Sequence, residues 1–255
     1  MTDSQKISMY LRRIGLEKVK FANFATLQAL QRAHLEAIPY ENLDIIRGVP
    51  ISLEFDNMYE KIIVRRRGGY CFELNGLFAW LLRVLGFQVR EYLARFLRGG
   101  TEIPPRGHRV LVIAIKNEGE FLCDAGVGGI IPRKPVLLKP GTVNKQNGEM
   151  FKIERDEISG YILHEWRKES WCKIYSFTRE EQFDIDFTVP SFYCEKHPSS
   201  PFRTKDMVHI FTKDGRKSID GRELRIFSPG GVEVTSLGAD AVFRQVLKSH
   251  FGIEL

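Results

Sequence analysis

An α+β fold follows from three features of the 255-residue chain. Apolar residues recur at helical spacing in the first third, the period changes to two after Gly86, and the last third mixes both patterns. Residues 4–14 and 26–37 carry apolar side chains three and four positions apart, which predicts two amphipathic helices, the second stopped by Pro39. Residues 72–85 are apolar on most faces and predict a buried helix with Gly86 just past its end. Gln88–Phe96 and His108–Ile115 then alternate as strands. Residues 120–124 form another, reached through the turn Lys116-Asn117-Glu118-Gly119. Further strands are expected at 151–154 and 161–166. Residues 208–212 with a turn at Asp214-Gly215 predict a hairpin, and 238–251 a closing helix.

Composition narrows the function classes. Hydrophobic residues at 43% and charged residues at 27% exclude a disordered tail, a collagen and a coiled-coil rod. The longest apolar stretch, 77–85, contains Arg83 and is far short of the ~20 residues a membrane span needs. The first six residues lack the apolar run of a secretory signal, so a soluble protein of the cytoplasm is expected, with no membrane partner. Lys and Arg outnumber Asp and Glu by 38 to 32, a net charge of +6. These residues are spread along the chain, with Arg65-Arg66-Arg67 the one dense cluster, so no nucleic-acid partner is expected. The mild surplus suits a small anionic ligand such as a nucleotide-bearing cofactor. The four cysteines, Cys71, Cys123, Cys172 and Cys194, include no CxxC pair and no His at zinc-ligand spacing, so no metal site is expected.

One cysteine stands in a distinctive place. Arg67-Gly68-Gly69-Tyr70-Cys71 runs straight into the buried helix. Two glycines permit positive φ and a tight approach, which would put Cys71 at or near the first helical position. There the free N–H groups and the helix dipole favour thiolate, the competent nucleophile. Cys123 reads as a small core residue of an apolar strand, while Cys172 and Cys194 lack activating surroundings.

A nucleophile needs a base and a group to orient it. His108 opens one strand and Asp124 ends the next, before Ala125-Gly126-Val127-Gly128-Gly129. With Asn117-Glu118 as a two-residue loop, Asp124 faces Leu111. With a three-residue loop it faces Val112, on the His108 side but four residues along, roughly 13 Å away at ~3.3 Å per residue. Contact then requires a bend, a bulge or His108 leaving the ladder. If the groups meet, His108 takes the thiol proton and Asp124 holds the imidazole in one tautomer. A Cys-His-Asp set serves acyl transfer generally and does not choose between water and an amine as acceptor.

Several ordered blocks resemble the arylamine N-acetyltransferases. His34-Leu35-Glu36-Ala37-Ile38-Pro39-Tyr40-Glu41-Asn42-Leu43-Asp44 is similar to the N-terminal signature of that family, and Arg67-Gly68-Gly69-Tyr70-Cys71-Phe72-Glu73-Leu74-Asn75 to its nucleophile motif. His108-Arg109-Val110-Leu111-Val112 resembles the block with the family's histidine, and Cys123-Asp124-Ala125-Gly126-Val127-Gly128 that with its aspartate. Lys173-Ile174-Tyr175-Ser176-Phe177 and His197-Pro198-Ser199-Ser200-Pro201-Phe202 continue the likeness.

The resemblance implies a helical bundle over 1–86, an antiparallel β-barrel over 87–187 and an α/β lid over 188–255, with a catalytic core of the cysteine-protease and transglutaminase type. It implies a triad of Cys71, His108 and Asp124 and a ping-pong reaction. Acetyl-CoA, the acyl donor, acetylates Cys71, and an arylamine, arylhydrazine or N-hydroxyarylamine then takes the acetyl group. By the same resemblance Gly126, Gly128 and Gly129 let backbone approach the CoA pyrophosphate, and Ser199 and Phe202 belong to a CoA-contacting block. Tyr40, Phe96 and Val127 match positions near the acceptor pocket. The family commonly has an aromatic residue where this chain has Val127, which implies a wider pocket with one stacking face fewer. Competing readings are a Cys-His-Asp hydrolase or transglutaminase-like enzyme, an amide synthase of a biosynthetic pathway, and a CoA-binding protein without catalysis.

Overall fold

The computed structural model describes residues 1–97, 103–129 and 131–255. Helix α1 (Asp3–Arg13) starts one residue before its apolar pattern, because Thr2 and Gln5 form a reciprocal capping box. Helix α2 (Phe24–Ala37) starts two residues early for a similar reason, Asn23 accepting the Thr26 N–H. A short strand β1 (Tyr40–Glu41) and helices α3 (Leu43–Arg47) and α4 (Phe55–Tyr59) follow, the last running into a π-helical turn at Glu60–Val64. Helix α5 (Cys71–Val84) is the axis of this part. Eleven of its fourteen residues are buried, and Gly86, at φ +89°, ends it as expected.

The next strands are β2 (Gln88–Phe96), β3 (His108–Ile115), β4 (Gly119–Cys123), β5 (Val136–Leu137), β6 (Val143–Gln146), β7 (Glu149–Asp156), β8 (Gly160–Arg167) and β9 (Ser170–Glu181). They form an antiparallel sheet in the order β5-β4-β3-β2-β9-β8-β7-β6 that curls into a nearly closed barrel. Strand β3 shows why both faces of this region are apolar. Val110 and Val112 point into the barrel core with Tyr92, Leu122 and Phe177, while Leu111, Ile113 and Ile115 pack against α5.

The last part holds helix α6 (Thr188–Lys196), strands β10 (Met207–Thr212), β11 (Gly215–Asp220), β12 (Glu223–Ser228) and β13 (Gly231–Ser236), and helix α7 (Asp240–Val246). The four strands make a meander whose other edge is β1, so the final third is stitched to the N-terminal helices through Tyr40–Glu41. The expected hairpin turns at Lys213-Asp214, with Gly215 already paired to Thr212. The expected closing helix is instead two pieces, α7 and a π-helical turn at Leu247–Phe251. Looser winding of that turn keeps Phe243, Leu247 and Phe251, spaced by four, together in one core with Val208 and Ile219.

The hairpin β3–β4 corrects both registers expected from sequence. Its loop is Lys116-Asn117-Glu118, pairing Ile115 with Gly119 and Leu111 with Cys123. Asn117 at φ +66° and Gly119 at φ +120° take the left-handed positions that close such a loop. Continued one step, this register sets Asp124 beside Val110, on the His108 side and two residues along instead of four. The gap falls to roughly 7 Å of strand, within reach of two side chains.

Candidate active site

Cys71 is the first residue of α5, as its sequence position predicts. The segment before it is held by buried charges. Arg67 pairs with Glu41 and Asp44, each at 2.8 Å, and Lys61 pairs with Asp44 at 2.8 Å and with Glu73 at 2.9 Å. Burial alone would lower the Lys61 pKa, but Glu73, Glu41 and Asp44 together hold it above its ordinary value. Glu73 also accepts the Tyr70 N–H at 3.1 Å, capping the helix.

The two glycines serve close approach, not positive φ: neither lies in the left-handed region. A Cβ on Gly68 would stand 2.8 Å from the Glu41 Cγ and one on Gly69 3.1 Å from the Glu73 Cβ. The chain there runs beside Tyr40–Glu41, with the Glu41 N–H donating to the Gly69 carbonyl at 2.8 Å.

His108 and Asp124 meet. His108 Nε2 lies 2.8 Å from Asp124 Oδ2, both side chains buried. The other carboxylate oxygen accepts from Asn75 Nδ2 and from the Gly126 N–H, each at 2.9 Å. Asn75 also donates to the Arg109 carbonyl at 2.5 Å and accepts the Ala125 N–H at 2.8 Å, tying α5 to both strands of the hairpin. This orienting residue escaped the sequence reading. Its signal was a polar side chain in an apolar helix, four positions and so one turn after Cys71.

Phe96 and Tyr175 pack on the His108 ring, with centroids 4.7 and 5.3 Å away. His108 Nδ1 is buried without a hydrogen-bond partner among the described residues. The Cys71 sulfur lies 3.7 Å from the carbonyl oxygen of Gly107, against the peptide that leads into His108. Burial pushes the Cys71 thiol well above its ordinary value, and the negative charge of Asp124 and of any ionised Cys194 adds to this. The N–H groups of Arg109 and Phe72 oppose it. The helix start therefore does not by itself make a thiolate.

Although Cys71 is only 1% exposed, it opens onto a cavity of about 630 Å³. Tyr40, Phe96, Gly126, Val127, Gly128 and Gly129 line it, and Phe202 joins them from the last third of the chain. Ser199 does not: it is exposed and bonded to Tyr193 Oη at 3.0 Å and His197 Nδ1 at 2.7 Å. Two of the glycines have local reasons. A Cβ on Gly126 would stand 2.8 Å from the Cys71 Cα, and one on Gly128 2.7 Å from the Tyr40 ring.

The cavity also takes in residues the sequence did not single out: Arg167, Lys205, Arg216, Arg225, Asp220 and His209. Burial lowers the His209 pKa to about 4, so it is neutral at pH 7. Among the described residues no group of three metal-ligating side chains is gathered, and no helix is long and apolar enough to cross a membrane.

A buried imidazole–carboxylate pair beside a cysteine at a helix start, under a cavity of this size, is the equipment of a group-transfer enzyme. Comparison with known proteins makes the class specific. Residues 23–255 match the family model described as N-acetyltransferase. The arylamine N-acetyltransferase of Mycobacterium tuberculosis is 34% identical over 254 residues, covering 98% of this chain and 89% of that protein. The structure of the Salmonella typhimurium arylamine N-acetyltransferase superposes with a TM-score of 0.94 at 29% identity, covering 99% of this chain and 92% of the other. That of the Mycobacterium marinum enzyme in complex with CoA gives 0.90 at 33%, covering 97% and 92%. The chain belongs to the arylamine N-acetyltransferase family, enzymes that use acetyl-CoA as donor.

Proposed function

We propose that this enzyme carries an acetyl group from acetyl-CoA on the Cys71 sulfur and delivers it to the nitrogen of an arylamine, an arylhydrazine or an N-hydroxyarylamine. The observation that carries the reading is the meeting of three parts of the chain: a cysteine that opens α5 onto the cavity, and the 2.8 Å His108–Asp124 pair beside it. Asp124 accepts from His108 Nε2, which leaves Nδ1 as the lone pair that takes the thiol proton. The sulfur then attacks the thioester carbonyl and CoA leaves. An exchange of one thioester for another is nearly isoenergetic, while the amide formed in the second half lies downhill. Aromatic amines are weakly basic and neutral at pH 7, so the acceptor attacks without first losing a proton.

The cavity suits both substrates. Arg167, Lys205, Arg216 and Arg225 face it against Asp220 alone, a positive balance that favours a phosphate-bearing donor. The M. marinum enzyme's complex with CoA supports a CoA thioester as the donor. Gly126, Gly128, Gly129 and Phe202 line the cavity, which supports their contact with the donor; Ser199 is not part of that lining. Tyr40, Phe96 and Val127 form the side that receives the acceptor, with Val127 in an apolar cluster with Leu35, Ile131 and Phe211. In this division residues 1–86 supply the nucleophile, 87–187 the histidine and aspartate, and 188–255 the wall that closes the cavity.

Intact-mass measurement after mixing with acetyl-CoA tests the reading. We expect a gain of about 42 Da, the mass of one acetyl group on a cysteine nucleophile. The gain should be absent in Cys71→Ala and released by an arylamine or hydrazine. Folded protein that stays unlabelled rejects the proposal. A label lost to water and never passed to an amine favours the hydrolase.

A further inference from the structure

We propose that Cys194 is the resolving thiol of a reversible oxidative lock on Cys71. The sequence offered no role for Cys194, but α6 brings it to the carbonyl that Cys71 also touches. Cys71 Sγ lies 3.7 Å and Cys194 Sγ 3.8 Å from the Gly107 oxygen, so the sulfurs are no farther apart than the sum of those two distances. Two contacts hold the helix in place. The Tyr70 and Ser191 hydroxyls are hydrogen-bonded, and Ser200 Oγ donates to the Cys194 carbonyl at 2.5 Å. Tyr70 precedes Cys71, and Ser191 lies three residues before Cys194 on the same side of α6, so the Tyr70–Ser191 bond sits beside the thiol pair.

The two thiols differ in access. Cys71 opens on the cavity, whereas Cys194 is 3% exposed and does not line it. An oxidant that enters therefore meets Cys71 first. Burial pushes the Cys194 thiol up to about 12, which keeps it protonated and slow toward oxidants by itself.

The chemistry balances with a hydroperoxide as oxidant. The Cys71 sulfur attacks the peroxide: an S–O bond forms, the O–O bond breaks, and the peroxide is reduced to an alcohol, or to water for hydrogen peroxide. The Cys194 sulfur then attacks the sulfenic sulfur. An S–S bond forms, the S–O bond breaks, and the departing hydroxyl leaves as water with the Cys194 proton. The link requires both side chains to rotate until the sulfurs reach bonding distance. A thiol reductant returns both cysteines. The lock blocks the nucleophile and keeps it from the irreversible sulfinic and sulfonic states.

The proposal rests on the reading above for the reactivity of Cys71, and its test reads mass rather than acetyl transfer, so the two can fail separately. The full-length protein is treated with hydrogen peroxide, alkylated and digested with trypsin without reduction. Peptides 68–83 and 180–196 each contain one cysteine. We expect them joined with a loss of about 2 Da and separated by dithiothreitol. In Cys194→Ser, peptide 68–83 should instead gain about 32 Da as sulfinic acid, and reductant should restore at least about tenfold less activity than in the wild type. Cys172→Ser should form the 71–194 link as the wild type does. Oxidation of peptide 68–83 without the link overturns the proposal, as does a Cys194→Ser protein that recovers as fully as the wild type. If Cys194→Ser does not fold, the wild-type peptide map decides alone. A link that forms in protein that acetyl-CoA does not label would leave the lock standing and remove the acetyl carrier.

Discussion

Asp124 is held by three donors that leave it one orientation: Asn75 Nδ2 and the Gly126 N–H on one oxygen, His108 on the other. An amide in its place would turn an N–H toward one of these donors and lose the charge that supports an imidazolium. Burial holds the proton on the Cys71 sulfur, so under the proposed mechanism a thiolate at neutral pH depends on His108 accepting that proton. Asp124→Asn should therefore slow alkylation of Cys71 by iodoacetamide at pH 7 by about 100-fold or more. It should also move the pH profile of alkylation upward, because a thiol with a raised pKa ionises only at higher pH. An unchanged rate and profile would separate the carboxylate from the thiol. Cys71 was readable in the sequence because Gly-Gly-Tyr-Cys abuts an apolar run. Its dependence on a proton acceptor was not, because burial of the sulfur is set by residues distant in the chain.

Helix α5 shows the same contrast along its length. Its apolar faces and its Gly86 stop were plain from periodicity, which gives no reason for Gly76. Gly76 has a tertiary cause. Arg109, buried and paired with Glu91 at 2.5 Å and Asp184 at 2.7 Å, passes so close that a Cβ on Gly76 would stand 2.6 Å from its Nη1. Helix propensity favours Gly76→Ala by about 1 kcal/mol. Overlap with a guanidinium pinned by two carboxylates costs about 1–3 kcal/mol, so the overlap wins. Thermal unfolding of Gly76→Ala should show a lower Tm, and a higher one would mean that Arg109 moves aside freely. The neighbouring hairpin was legible as two strands, but its register was not. The loop begins one residue earlier than its Asn-Glu pair suggests because Asn117 and Gly119 both adopt positive φ.

The assembled molecule buries histidines that resist protonation. His34, packed between Tyr10 and Phe78 and bonded to the Tyr10 hydroxyl at 2.8 Å, has its pKa lowered by burial to about 3. The unfolded chain binds that proton near pH 6.5, so folding stability contributed by the neutral ring is complete above pH 6.5 and is lost as pH falls toward 3. The loss is about 1.4 kcal/mol per pH unit over that window. His34→Asn should be less stable than the wild type at pH 7 because of the cavity it leaves. Its stability, followed by urea unfolding between pH 6 and 4, should nevertheless fall less steeply by about that amount per unit. Equal slopes would mean that the ring is protonated in the folded state.

Local order in the chain was enough to determine the α+β class, the first two helices, the buried helix with a cysteine at its head, the strands that follow it, and the family likeness. Each depends on residues close in sequence, where periodicity, caps and turn formers act directly. The 2.8 Å approach of His108 to Asp124, the clamp by Asn75, the cationic rim around the cavity and the pairing of Cys71 with Cys194 at one carbonyl depend on packing between segments as distant in the chain as Tyr40 and Phe227. Composition carries no record of such distances. They are set by strand register, by which residues adopt positive φ, and by side-chain volume at the few positions where two backbones pass within a Cβ of each other.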